Sequence, residues 1–173
     1  MFLLVLAALI ILGAVAAVNS IRRKEVKVAE SLSGVDVALT KRYDVMKKLL
    51  EASQGYLAYE QSVLLDTVKI RQGMSLTEIV QAESQMDALS EQILAKAEQY
   101  PALSSSAVFQ QLQIGIADTE QHLESARRVY NSNVRLYNTA IAQFPGNLLA
   151  KGKQPAEFFK AKSGTHVDMN ITF

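Results

Sequence analysis

Apolar residues return along this chain at intervals of three and four. One stripe runs Val28, Leu32, Val35, Leu39, Met46, Leu49 and Tyr56. Such spacing places its members on one face of a helix packed along a seam. A second pattern repeats by sevens. Phe109, Ile116, Leu123, Tyr130, Tyr137 and Phe144 share one heptad position, and Leu112, Thr119, Ala126, Asn133 and Ala140 share the position three residues on. The first column is large and mainly apolar. The second is mostly small or polar, which lets a neighbouring backbone approach closely. Val129, Leu136, Val134 and Ile141 widen the apolar face. A helix this broadly apolar contacts more than one neighbour, as in a helical bundle rather than a two-stranded coiled coil.

The start of the chain follows another rule. Phe2 to Val18 carries no charge at all. As a helix it would be about 26 Å long, enough to cross a bilayer core of about 30 Å with some thinning. Three readings are open: a soluble core helix, a cleaved signal peptide and an uncleaved anchor. A core helix would need partners on every face. A signal peptide needs a basic segment before the apolar run, and only Met1 precedes it. The anchor is therefore favoured. Arg22, Arg23, Lys24 and Lys27 crowd its exit, and the positive-inside rule puts that side in the cytoplasm. The same four side chains are candidates for contact with lipid headgroups.

No Gly or Pro lies between Val18 and Leu32, so the anchor is expected to continue as one helix into the stripe. Gly55 marks a kink or turn. A second helical stretch through Val63, Leu64 and Val68 is expected to end near Gly73. Ser75 to Glu78 ("SLTE") reads as a capping box that opens the next helix, which stops at Tyr100-Pro101. Serines 104 to 106 cap the last long helix, ending at Phe144-Pro145-Gly146. The expected fold is all-α: a transmembrane helix at residues 1–19, an antiparallel up-and-down bundle of three to four helices at 20–150, and a basic, loosely ordered tail at 151–173. A short final strand in the tail remains open.

Composition supports this outline. There are three Pro, eight Gly and no Cys, which favours long helices and excludes disulfides and thiolate chemistry. Charge is uneven. Residues 22–48 hold eight basic and four acidic groups, and residues 49–100 hold three basic and eight acidic. No basic face interleaved with stacking aromatics is present, so nucleic acid is not an expected partner.

"RRVYNSNVRLYNTAIAQFP" at 127–145 repeats Tyr-Asn at Tyr130-Asn131 and Tyr137-Asn138. Buried tyrosine hydroxyls need partners, and the asparagines could supply hydrogen bonds to a facing helix. A packing seam is the favoured reading over a ligand cage. This segment, with Thr119, Glu120 and "YPAL" upstream, resembles the LemA family. So does "DVALTKRYDVMKKLLEASQGYLAYE" at 36–60, and the resemblance covers about Asn19 to Ala150. The chain departs from the usual pattern at Gln54 and Tyr59, and the tail beyond Lys153 matches nothing in it. The resemblance implies a single-pass bacterial inner-membrane protein with an antiparallel helical bundle. It also implies genetic neighbours that include a membrane zinc metalloprotease, and so a link to envelope stress.

Candidate chemistry is sparse. His122 has Asp118 one turn earlier and Glu124 nearby, a pattern that suits exposed ion pairs better than a metal site. No phosphate loop or catalytic constellation is present. No catalytic residue, cofactor, metal site or small-molecule substrate is therefore expected. Arg42 and Glu60 fall in slots the stripe reserves for apolar residues, and Glu120 and Arg127 flank the seam of the last helix. These four either snorkel outward or form an interhelical ionic network that fixes register. Arg42 could meet Glu120, and Glu60 could meet Arg127. The expected function is a non-enzymatic scaffold or adaptor that self-associates in the membrane. The alternative is a lipid-binding protein that remodels the membrane surface or senses stress there.

Overall fold

A computed structural model describes residues 1–53, 68, 70–71 and 73–160. Helix α1 spans Phe2–Ala52, α2 Leu76–Ala97, α3 Pro101–Ser104, α4 Ala107–Ala142 and α5 Gly146–Leu149. The described residues contain no strand.

Helix α1 is one unbroken element of 51 residues, about 76 Å long at 1.5 Å per residue. Its first third touches little of the rest, and Leu3, Leu9 and Leu12 are all more than 60% exposed. Burial begins at Ile21 and continues through Val35, Leu39, Arg42, Met46 and Leu49. The stripe therefore faces inward, with Val28 and Leu32 half-buried at its upper margin. Gly55, Tyr56, Val63 and Leu64 lie outside the described residues. Val68 is buried in the core.

Helix α4 lies antiparallel along α1. Asn133 Nδ2 donates to the Lys27 carbonyl at 3.4 Å, and a Cβ on Gly115 would stand 3.4 Å from Val45 Cγ1. These two points fix the register. Moving up one helix is matched by moving down the other, and Phe109, Ile116, Leu123, Tyr130 and Tyr137 are all buried on this seam. Helix α2 adds Ile79, Met86, Leu89 and Ile93 to the same core.

The heptad count runs too far at one end. Phe144 is 78% exposed, because α4 stops at Ala142 and the chain turns away before reaching it. Val129 and Leu136 also face solvent, unlike Val134 and Ile141. Each lies about 100° round the helix from the neighbouring tyrosine of the seam, so the apolar face is narrower than the sequence suggested. Ser106 stands at the N-cap of α4, but no side-chain hydrogen bond caps that end.

The tail also departs from expectation. Residues 151–160 are not loose: Phe159 is buried, and the segment runs along α4. Residues 161–173, including the expected final strand, lie outside the described residues.

The capping box is formed as the sequence reads. Ser75 Oγ accepts from the Glu78 amide at 3.3 Å, and Glu78 Oε2 accepts from the Ser75 amide at 2.8 Å. Arg71 adds an ion pair at 2.6 Å. The Ser75 amide, the Ser75 hydroxyl and then Arg71 pull the Glu78 carboxyl from 4.5 down to about 2. A lowered folded value means the cap contributes stability above pH 4.5 and loses it as pH falls toward about 2. A carbon-detected carboxylate titration should find Glu78 with a midpoint near 2. The Ser75→Ala protein should move that midpoint upward. An unmoved midpoint would exclude the hydroxyl as a cause and leave the Ser75 amide and Arg71.

Candidate functional site

Helix α2 packs on α1, yet no Cα of α2 comes within 8 Å of one in α4 among the described residues. An open groove of about 1020 Å³ separates them. Its floor is α1, and its walls are polar where the core faces are apolar.

Arg42 stands in that floor with no exposed surface. Its Nη2 donates to Asp87 Oδ1 of α2 at 2.5 Å and to Glu120 Oε1 of α4 at 2.7 Å. One guanidinium thus ties three helices. Among the described residues Nε and Nη1 have no hydrogen-bond partner though buried, an arrangement that costs desolvation energy.

A second link is made by Arg127, two turns beyond Glu120 on α4. Arg127 Nη1 donates to Glu83 Oε1 and Oε2 of α2 at 2.9 and 3.0 Å. This pair is drier than the first, with side chains only 13% and 5% exposed. Nη2 of Arg127 donates to the Lys160 carbonyl at 2.9 Å, and its guanidinium lies 5.2 Å from the centre of the Phe159 ring. The sequence singled out Arg42, Glu120 and Arg127 and missed Glu83 and Asp87. Those two sit four apart on α2, a spacing that looks like any solvated helix face. Glu60, the partner considered for Arg127, lies outside the described residues.

The Tyr-Asn repeat makes a rack for residues 154–160. Asn138 Nδ2 donates to the Ala156 carbonyl at 2.9 Å, and its Oδ1 accepts from the Ala156 amide at 2.9 Å. Asn131 does the same to Phe159, at 3.0 and 2.9 Å. Tyr137 and Tyr130 hydroxyls donate to the carbonyls of Gln154 and Glu157 at 3.3 and 3.1 Å. The asparagines therefore bond this strap rather than a facing helix. The spacing has a simple origin. Seven helical residues rise about 10.5 Å, and three residues of an extended threefold chain advance about 9.3 Å. Each heptad of α4 thus meets the strap three residues further on. Burial, and then the nearby Glu157 carboxylate, push the Tyr130 hydroxyl above its usual value.

Arg22, Arg23 and Lys27 are exposed on α1, while Lys24 donates to Ser20 Oγ at 2.9 Å. His122 is exposed. No group of three or more His, Asp and Glu side chains is placed to hold a metal among the described residues.

The profile of the LemA family matches residues 31–173. The chain belongs to the LemA family. The match runs through the tail, which the resemblance read from sequence had left out. Protein LemA of Metamycoplasma hominis is 25% identical over 138 residues, 77% of this chain and 63% of that protein. Magnetosome protein MamQ of Magnetospirillum gryphiswaldense is 31% identical over 72 residues, 40% of this chain and 26% of that protein. Magnetosome protein MamQ 1 of Paramagnetospirillum magneticum matches to the same extent. The chain thus spans less than two thirds of each of these relatives. Family membership and the apolar first third of α1 mark a membrane-associated protein.

The two ionic links should differ in strength. Glu120 is half exposed and shares the buried Arg42 with Asp87, so its coupling to Arg42 should be the weaker of the two in a double-mutant cycle. Glu83 and Arg127 are desolvated, so truncating either alone should cost about 3–5 kcal/mol. Denaturant unfolding of Arg42→Ala with Glu120→Ala, and of Glu83→Ala with Arg127→Ala, measures both. Equal couplings would contradict this ranking.

The rack makes a second prediction. Asn131→Ala should speed hydrogen exchange at the Phe159 amide, and Asn138→Ala should do so at Ala156. Exchange rates that stay at their original values would mean the asparagines do not hold the strap.

Proposed function

We propose that this protein is a non-enzymatic scaffold or adaptor, anchored in the bacterial inner membrane with its bundle in the cytoplasm. The observation that carries the reading is the unbroken run of α1 from an apolar segment into the core of the bundle. Such a helix makes the bundle a rigid extension of its anchor. Arg22 and Arg23 beside the anchor support the cytoplasmic side. The groove offers carboxylates and guanidinium groups already engaged with one another, a surface suited to holding a polar partner rather than to turnover.

Self-association is part of this reading. Gly13, Ala14, Ala16 and Ala17 permit close approach of a second anchor. Other membrane proteins, a zinc metalloprotease among them, are further candidate partners, and a link to envelope stress follows from the family resemblance. A second reading, remodelling or sensing at the lipid surface, is favoured by the exposed Arg22, Arg23 and Lys27.

The chain has no cysteine, so single substitutions report cleanly. With Ala16→Cys in native membranes, oxidation should yield a covalent dimer, and adding Gly13→Leu should reduce its yield several-fold. A chain that stays monomeric would sink the self-association. Protease added to sealed inner-membrane vesicles of inverted orientation should digest the bundle. Digestion only in vesicles of the opposite orientation would reverse the topology.

A further inference from the structure

The far end of α4 carries exposed apolar side chains that the bundle does not use. Phe144 is 78% exposed, Leu148 59% and Leu149 38%. Leu148 and Leu149 belong to α5, which is held tightly in place, and Phe144 precedes it. A Cβ on Gly146 would collide with the Ala140 carbonyl oxygen and stand 3.4 Å from Ile21 Cδ1. Ala150 is buried with Ile21 and Tyr137. The corner is thus fixed against α1 at Ile21, with its apolar residues turned outward.

The register of the two helices gives its height. Asn133 lies level with Lys27. Ala142 is nine residues further along α4, and Val18 is nine residues earlier on α1. Because the helices are antiparallel, both steps run about 13.5 Å in the same direction. The end of α4 therefore lies level with Val18, where the uncharged segment ends. Phe144 follows two residues later. Around this level stand the exposed cations Arg22, Arg23 and Lys151.

We propose that the corner formed by Phe144, Leu148 and Leu149 is a second membrane contact, inserting into the headgroup region of an anionic bilayer. This rests on the reading that the first third of α1 spans the membrane. Interfacial aromatic and leucine side chains gain from burial at the acyl boundary, and neighbouring cations gain from anionic lipid. Two contacts, the span and the corner, fix the rotation of the bundle about α1, which one helix alone would leave free. The groove and strap then face a set direction relative to the membrane surface.

The chain has no Trp, so one substitution supplies a unique fluorophore. The full chain carrying Phe144→Trp would be reconstituted in vesicles of phosphatidylcholine with phosphatidylglycerol. Its emission should be quenched by lipids brominated near the headgroup. It should also be protected from aqueous acrylamide at least threefold relative to Val129→Trp, which lies further from the anchor on α4. Replacing phosphatidylglycerol with phosphatidylcholine should weaken that protection. Acrylamide access equal at the two positions would overturn the proposal. Leu9→Trp separates the two readings. If lipids brominated deep in the chain quench it while Phe144→Trp stays open to acrylamide, the span stands and the corner contact fails. If Leu9→Trp is not quenched by those lipids, the spanning reading fails as well.

Discussion

Everything in this protein is built on the antiparallel seam between α1 and α4. Its large apolar column, from Phe109 to Tyr130, meets the stripe from Val35 to Leu49, and Tyr137 packs with Ile21 further toward the N-terminal segment. Because α1 is continuous, the seam also connects the apolar N-terminal segment to the bundle without a hinge. Helix α2 joins one side of α1 only, and the separation of α2 from α4 leaves the polar groove. That gap is bridged by charge. Arg42 reaches both walls from below, and Arg127 crosses to Glu83. Such links need not add stability, but they restrict which faces can meet.

The strap is a different kind of contact. Asn131 and Asn138 each take both polar groups of one backbone residue, and the tyrosines take carbonyls. Almost all of this recognition is of backbone, and it places few demands on the strap's own side chains. Phe159 is the exception, packed edge-on against Tyr130 with ring centres 5.1 Å apart and lying beside Arg127. Through Phe159 and Lys160 the strap reaches the groove, so the rack and the ionic links form one connected surface.

The helices were legible in the sequence because their causes are local. The absence of Gly and Pro between Val18 and Leu32, the Ser75–Glu78 box and the steps of three and four all act within a few turns. The Tyr-Asn repeat was visible too, but its partner was not. A side chain that binds backbone leaves no complementary pattern in the segment it holds, so residues 154–160 looked unattached. Glu83 and Asp87 were hidden for a related reason: paired carboxylates one turn apart resemble an ordinary wet surface. Phe144 was misplaced because counting by sevens does not sense where a helix ends. Glu60 and the stretch around Val63 lie outside the described residues.

The central claim is that α1 carries the bundle as a rigid continuation of the membrane segment. Val15 and Val37 are both exposed and lie 22 residues apart on nearly the same face. Spin labels on Val15→Cys and Val37→Cys in lipid nanodiscs, diluted with unlabelled protein, measure the distance between them by pulsed dipolar spectroscopy. A continuous helix predicts one narrow distribution consistent with a backbone separation of about 33 Å. A broad distribution, or one centred well short of that distance, would mean a hinge near residue 19 and would contradict the account.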